Sequence, residues 1–137
     1  MFGTSLVSGL APKAGVFQLD VKKFSRDAKT VAATEKDELV YQPAAPARTA
    51  RELLRAIKTI RKRSAELSLP LLVLHGTADE ITPPEGSKEL VARASSKDKT
   101  LKLYDGLWHD LLHEPERAKV TADVIAWLDA RLGPKPK

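Results

Sequence analysis

The chain has 137 residues, of which 42% are hydrophobic and 30% charged, as expected for one globular domain. It contains no cysteine, which excludes disulfides, a thiol nucleophile and a cysteine-ligated metal site. The net charge of +5 weakly favours contact with anionic surfaces and is not a signature of nucleic-acid binding. Because no signal-peptide pattern opens the chain and no apolar run approaches about 18 residues, we expect a cytoplasmic protein.

Residues 1–47 are rich in glycine and proline and have weak periodicity. The stretch APKAG predicts a turn, and YQPAAPA predicts an extended linker. Short helices are expected around residues 21–24 and 29–36. The chain therefore divides near residue 47 into an irregular segment and a more regular remainder.

The regular part begins with a helix and a strand. Thr49 and Glu52 have the spacing of a capping box, and the apolar residues that follow predict an amphipathic helix over residues 49–64. Residues 69–74, LPLLVL, form an uninterrupted apolar run. Such a run is typical of a strand that is covered on both faces in a parallel sheet.

Three further elements follow. A helix is predicted from PPE to about residue 94, and KTLKLYDG predicts a shorter strand that ends at Gly106. The last helix is predicted to begin at Pro115 and to end at Gly133. The order α-β-α-β-α predicts a parallel sheet with helices on its faces. Two strands cannot cover their own faces and edges, so the pattern indicates one end of a larger sheet.

Two titratable residues follow the carboxyl ends of the two predicted strands. Asp79 comes just after LPLLVLHGTA, and His109 lies three residues beyond Gly106. Because sites in open α/β sheets form at the carboxyl ends of strands, we expect Asp79 and His109 to lie side by side. A carboxylate that accepts from Nδ1–H fixes the imidazole tautomer and stabilises the imidazolium. The spacing therefore predicts that Asp79 orients His109.

These residues belong to a stretch with a specific resemblance to a known family. The C-terminal third of the α/β-hydrolase fold, in the monoacylglycerol lipase and lysophospholipase branch, is similar to LPLLVLHGTADEITPPEGSKELVARASSKDKTLKLYDGLWHDLLHEPE. The end of that branch's cap domain resembles FSRDAKTVAATEKDELVY. The resemblance implies an α/β fold in which residues 1–47 are a partial cap segment and residues 48–137 the C-terminal part of the core. It also implies that Asp79 is the triad acid, that His109 is the triad base and that no cofactor is used.

The sequence departs from this family at the nucleophile. The family's serine lies in a G-x-S-x-G elbow after an earlier strand, and this sequence contains no G-x-S-x-G. Around Ser5 the motif has Val7 in place of the second glycine, and Ser8 has Leu6 two residues before it. Neither serine follows a predicted strand, and the loop that would supply oxyanion donors is missing too. The chain is therefore interpreted as a C-terminal portion that lacks the nucleophile half.

Two functions remain open. The resemblance implies a carboxylic ester hydrolase acting on a monoacylglycerol or lysophospholipid, in which a serine attacks the ester and His109 transfers its proton. The missing serine instead favours a non-catalytic fragment, or a module that binds lipid or a partner. If the chain is a fragment, we expect it to self-associate, because a strand edge would be unpaired.

The other polar residues near these strand ends are interpreted as structural and not as catalytic or metal-binding. His75 is interpreted as a packed residue behind the site, and Asp110 is expected to face away from Asp79 and to cap the next turn. His109 and His113 have the i, i+4 spacing of a metal site. The pattern lacks the glutamate, the long helix and the third ligand that such a site needs, so no metal is expected.

One face of the helix predicted over residues 49–64 is basic. It is interpreted either as a solvated surface or as an interfacial face drawn to anionic membrane lipid. Nucleic acid is disfavoured because no aromatic residues alternate with the basic ones. The basic residues recur at spacings of three and four: Arg48, Arg51, Arg55, Lys58 and Lys62.

Overall fold

The computed structural model describes residues 9–133. The order α-β-α-β-α that the sequence predicts is confirmed from the second helix onward. Short 3₁₀ turns occur at Val21–Lys23, Ser64–Glu66 and Leu111–His113. In chain order the helices and strands are β1 (Gly15–Phe17), α1 (Ala28–Lys36), β2 (Ala45–Pro46), α2 (Ala47–Arg63), β3 (Leu71–Gly76), α3 (Glu85–Arg93), β4 (Lys99–Tyr104) and α4 (Arg117–Leu132).

Strands β3 and β4 form the parallel sheet that positions the site. They pair in register from Leu71 opposite Lys99 to Gly76 opposite Tyr104, and α3 connects them. Both strands end at the same edge, so the loops that follow them emerge side by side. The strand predicted over residues 69–74 is shifted by two residues, because Pro70 has no N–H for the ladder and pairing with β4 extends to Gly76.

The N-terminal third contains the two short helices that the sequence predicts, one of them 3₁₀, together with a strand pair that it does not. Strand β1 pairs antiparallel with β2, which lies in the stretch interpreted as an extended linker. Elements of two or three residues carry no alternating pattern, so periodicity could not reveal them. Helix α1 begins after Asp27, whose carboxylate accepts the Lys29 N–H at 2.9 Å.

The N-cap of helix α2 lies three residues earlier than the predicted capping box requires. Its cap residue is a proline, and neither Thr49 nor Glu52 makes a capping hydrogen bond. The first amides are instead bonded to backbone carbonyls of the preceding segment. Ala47 N–H donates to the Ala14 carbonyl at 2.8 Å, and the next amide donates to the Pro12 carbonyl at 3.1 Å. Because tertiary contacts satisfy these donors, a side-chain cap is not needed.

The core of the described part is small and lies between β4 and α4. Tyr104, Leu107 and Val120 are its buried centre, with Leu74 and Leu111 packed against it. Helix α4 ends at Leu132, and Gly133 follows it as the C-cap that the sequence predicts, with a φ of 70°. The strand end, the loop after it and the last helix are therefore fixed against one another.

Helix α2 presents an apolar face that residues 9–133 cover only in part. Four residues of this face are between 37% and 56% exposed: Leu53, Leu54, Ile57 and Ile60. Strand β3 is paired on one edge, with β4, in this same part of the chain. No helix among the described residues has the length and apolarity needed to cross a membrane.

We predict that the 137-residue chain binds a dye that reports apolar surface and self-associates at micromolar concentration. Because these α2 side chains are about half exposed, each forgoes only part of the about 1.5–3 kcal/mol of full burial, and association would recover that part. The variants Ile57→Gln and Ile60→Gln should lower dye fluorescence and shift light scattering toward the monomer. Lys58→Gln and Lys62→Gln, on the same helix, are the controls. A monomeric wild-type chain without dye binding would contradict the prediction.

Candidate active site

Asp79 lies in the turn that follows β3, with its side chain only 2% exposed. Its carboxylate accepts four hydrogen bonds. Oδ1 accepts the backbone N–H groups of Ile81 at 2.8 Å and Thr82 at 2.9 Å. Oδ2 accepts the Thr82 hydroxyl at 2.8 Å and lies 2.8 Å from Nδ1 of His109. The turn therefore fixes the orientation of the acid before any ligand binds.

These hydrogen bonds decide the charge of Asp79. Burial raises the pKa of the Asp79 carboxyl, because it disfavours the ionised form. The Thr82 amide, His109, the Thr82 hydroxyl and the Ile81 amide together lower it further than burial raises it, so the pKa of Asp79 lies below its ordinary value. The group is an anion at neutral pH, as an acceptor for an imidazole N–H must be.

His109 meets Asp79 from the loop after β4. Because the ionised carboxylate only accepts, Nδ1 of His109 carries the proton and Nε2 of the neutral ring is the acceptor. The side chain is 31% exposed, and no residue in the range 9–133 makes a hydrogen bond to Nε2. This arrangement leaves a basic nitrogen available at the surface of the site.

The approach of the two loops depends on Gly76, the last residue of β3. A Cβ atom at this position would lie 2.2 Å from the Leu107 carbonyl oxygen and 2.4 Å from that of Trp108. The backbone before His109 thus passes directly over Gly76, where only a glycine leaves room. A hydrogen bond from Ala78 N–H to the Leu107 carbonyl, at 3.0 Å, holds this crossing.

Thr77 joins the ends of the two strands. Its N–H donates to the Tyr104 carbonyl at 2.9 Å, and its hydroxyl donates to Asp105 Oδ1 at 3.1 Å. The Thr77 hydroxyl oxygen also accepts the Gly106 N–H at 2.8 Å. Gly106 has a φ of 70°, which few other residues adopt. The turn after β4 is therefore tied to the residue that begins the turn after β3.

His75 supports the Asp79 turn from within β3, as a packed residue behind the site. Its Nε2 lies 2.7 Å from the Thr82 carbonyl oxygen, which only accepts, so Nε2 carries a proton. Nδ1 lies 2.7 Å from the Ser87 hydroxyl, which donates to it when the ring is neutral. Both side chains line a cavity of about 630 Å³, which Ile57 and Ile60 of α2 border on another side.

The HDLLH stretch divides its two histidines between two carboxylates. His109 faces Asp79, whereas Nδ1 of His113 lies 2.8 Å from Oδ2 of Asp110. The Asp110 side chain pairs with His113, and it does not cap the next turn as the sequence analysis expects. The part of the chain that the structure describes has no cluster of three His, Asp or Glu residues able to hold a metal ion.

The sequence reasoning missed two residues that contact His109. The Thr82 hydroxyl lies 3.2 Å from Nδ1, and its signal was the D-x-x-T spacing of an aspartate-stabilised turn. The ring of Phe24 meets the imidazole edge to face, with centroids 5.3 Å apart and an interplanar angle of 76°. No local pattern could have placed Phe24 there, because it is distant in sequence. Ser5 and Ser8 lie outside the described residues.

The basic face of α2 is partly neutralised within the described part of the chain. Glu52 is 2.8 Å from Arg51 and 3.8 Å from Arg55 in the nearest oxygen–nitrogen pairs. On the same helix, Arg61 pairs with Glu89 of α3 at 2.8 Å. Such exposed ion pairs reduce the positive charge that an anionic surface would meet.

Two parallel strands with helices around them and an aspartate–histidine pair at their carboxyl ends define part of an α/β-hydrolase fold. Residues 2–116 match the family described as serine aminopeptidase, S33, and the chain belongs to this family. The similarity extends to a solved structure: the crystal structure of Paleococcus ferrophilus monoacylglycerol lipase superposes with a TM-score of 0.84 at 28% identity, covering 93% of this chain and 50% of that one.

Curated relatives are ester hydrolases by name. Monoacylglycerol lipase of Mycolicibacterium smegmatis is 42% identical over 123 residues, which are 90% of this chain and 44% of that protein. Caffeoylshikimate esterase of Arabidopsis thaliana is 41% identical over 87 residues, covering 61% of this chain and 26% of that protein. The chain thus spans at most about half the length of these relatives.

We predict that Gly76→Ala destabilises the chain by about 1–3 kcal/mol, because the new methyl group would overlap backbone carbonyls that cannot move independently. Chemical denaturation would measure the loss. Gly86→Ala is the matched control, since a Cβ there meets nothing within 4 Å and α3 favours alanine. Equal effects of the two substitutions would show that the crossing over Gly76 does not constrain the fold.

We predict that the Asp79 carboxylate stabilises the fold at neutral pH and loses this effect in acid. Its folded pKa is depressed, so its contribution is present above the unfolded pKa and disappears as the pH falls through the folded value. Asp79→Asn should cost about 1.5–3 kcal/mol at pH 7, and the difference from wild type should narrow below about pH 4. Denaturation curves across pH, with the exposed Asp129→Asn as control, test this. A constant difference would contradict it.

Proposed function

We propose that this chain supplies the acid and the base of a serine ester hydrolase triad, with Asp79 as the acid and His109 as the base. The observation that carries the proposal is the 2.8 Å contact between Nδ1 of His109 and the buried Asp79 carboxylate. It leaves Nε2 as the acceptor on a partly exposed ring. This is the geometry that a base needs in order to take a proton from a nucleophile.

The proposed reaction begins when a serine hydroxyl attacks the ester carbonyl while Nε2 of His109 takes its proton. The resulting imidazolium is stabilised by the Asp79 anion, and it returns the proton to the leaving alcohol. Water then attacks the acyl-serine with the same base assisting, which releases the acid and restores the serine. Only oxygen–carbon bonds of the ester are exchanged, so no redox group takes part.

The nucleophile is the part of this proposal that the described residues do not supply. Within residues 9–133, the hydrogen bonds of the His109 side chain go to Asp79 and Thr82 and to no serine. The printed sequence also lacks G-x-S-x-G. This supports the second candidate function, in which the chain alone is a non-catalytic module that binds lipid or a partner.

We propose a monoacylglycerol or a similar acyl ester as the substrate class. Of the two curated relatives described above, the monoacylglycerol lipase matches more of this chain, 90% against 61% for the esterase, and it supports this choice. Residues 1–47 would then border the acyl pocket and residues 48–137 would form the C-terminal part of the core. The contact of Phe24 with His109 supports this division, because it brings the first segment to the site. A cytoplasmic location and contact with anionic membranes stay predictions.

We predict that His109 is essential in a chimera in which this chain replaces the matched 44% of the Mycolicibacterium smegmatis lipase. His109→Gln should lower kcat for a monoacylglycerol by about 10⁴-fold, and Asp79→Asn should lower it somewhat less. His113→Gln, which alters the neighbouring pair, should leave kcat within about threefold of the parent. The initial rate of glycerol release measures all three.

The isolated 137-residue chain is the baseline of the same assay, and it should show no saturable turnover. A serine-directed phosphonate that labels the isolated chain would favour a nucleophile within it, and Ser87→Ala would then test the serine beside His75. Near-parental kcat in the His109→Gln chimera would overturn the assignment of the base.

A further inference from the structure

A short segment of the N-terminal third lies directly across the loop that carries His109. The Phe24 carbonyl accepts the Asp110 N–H at 2.8 Å. The hydroxyl of Ser25, a residue that is itself buried, donates to the His113 carbonyl at 2.8 Å. The segment therefore bonds to the backbone just before the 3₁₀ turn that follows His109 and at the last residue of that turn.

An ion pair anchors this segment to the end of the same loop. The Glu114 side chain is 0% exposed. Its Oε1 accepts the backbone N–H of Arg26 at 2.8 Å, and its Oε2 accepts Nε of Arg26 at 2.5 Å. The guanidinium also reaches Glu116. A fully buried carboxylate needs a charged partner, so Arg26 and Glu114 hold the two stretches of chain together.

The anchored segment places an aromatic ring on the imidazole. Asp79 and Thr82 contact His109 at Nδ1, whereas Phe24 packs edge to face against the ring itself. Rotation of the imidazole about its Cβ–Cγ bond would turn Nδ1 away from Asp79. The Phe24 ring opposes this rotation because the space beside the imidazole is already filled.

We propose that residues 24–26 are a positioning strap for His109, in which Arg26 anchors the segment and Phe24 holds the imidazole with Nδ1 toward Asp79. The inference rests on the proposed function in that His109 is taken as the base. The orientation and the tautomer of the His109 imidazole can be measured without any enzymatic turnover. The strap joins the first segment to the base, so a displacement of that segment would release the ring.

The test is the imidazole ¹⁵N spectrum of the neutral histidines in the 137-residue chain. The chain has three histidines, so His75→Gln and His113→Gln assign the His109 signals. The wild-type ring should show one protonated Nδ1 and one unprotonated Nε2. Phe24→Leu and Arg26→Gln should lose this pattern and show the averaged shifts of a mobile, solvent-exposed ring. Phe24→Tyr keeps the ring and should retain the pattern.

Arg117→Gln is the matched control, because it removes a second ion pair between the same stretches of chain. That pair joins Arg117 to Asp27 at 3.6 Å and is more exposed, so its loss should leave the His109 spectrum unchanged. Circular dichroism verifies folding of every variant. If Arg26→Gln fails to fold, Phe24→Leu decides the outcome. Folded Phe24→Leu with the wild-type pattern overturns the strap.

An Asp79→Asn spectrum separates this inference from the proposed function. If wild type shows the Nδ1–H pattern and Asp79→Asn loses it, the Asp79–His109 pair is intact in solution. A Phe24→Leu variant that then keeps the wild-type pattern refutes the strap alone. If the wild-type ring already shows averaged shifts, the Asp79–His109 pair is absent in solution. That result overturns both the strap and the assignment of the triad base.

Discussion

The crossing of the 107–108 backbone over Gly76 is the constraint on which the rest of the site depends. Two carbonyl oxygens occupy the space that any side chain at Gly76 would need. This close approach brings the loop after β4 onto the end of β3, and Thr77 then bonds to both strand ends. The distance between Asp79 and His109 is set by this crossing, because each residue lies within three positions of it.

Two buried carboxylates lie on either side of the His109 loop, and each forms an ion pair or hydrogen bonds that hold the loop in place. Asp79 receives four hydrogen bonds and pairs with the first residue of the loop's HDLLH stretch. Glu114 directly follows the same stretch and pairs with Arg26. Each carboxylate is costly to bury alone and is stabilised by a partner from a distant part of the chain. Since domain stability is only about 5–15 kcal/mol, such pairs restrict which arrangements of the loop can exist.

The site is held together by hydrogen bonds, and the hydrophobic core beside it is small. Its geometry depends on hydrogen bonds in tight turns and on the parallel register of β3 and β4, which need few apolar neighbours. The cavity between α2 and α3 borders this frame, since His75 and Thr82 line it on one side and Ile57 and Ile60 of the apolar face of α2 line it on another. The chain matches 44% of the Mycolicibacterium smegmatis lipase and 50% of the Paleococcus ferrophilus lipase, so it spans about half the length of each.

The sequence by itself determined the order of α2 to α4, the parallel sheet and the pairing of Asp79 with His109. These follow from local signals, namely apolar periodicity, helix-ending residues and the rule that parallel strands end at one edge. Tertiary structure alone decided the start of α2, where carbonyls of residues 12 and 14 cap the helix in place of Thr49. It also decided the contacts of Phe24 and of the Arg26–Glu114 pair with the His109 loop. Such contacts join residues more than 80 positions apart, and no periodicity or spacing within either stretch encodes which distant surface it will meet.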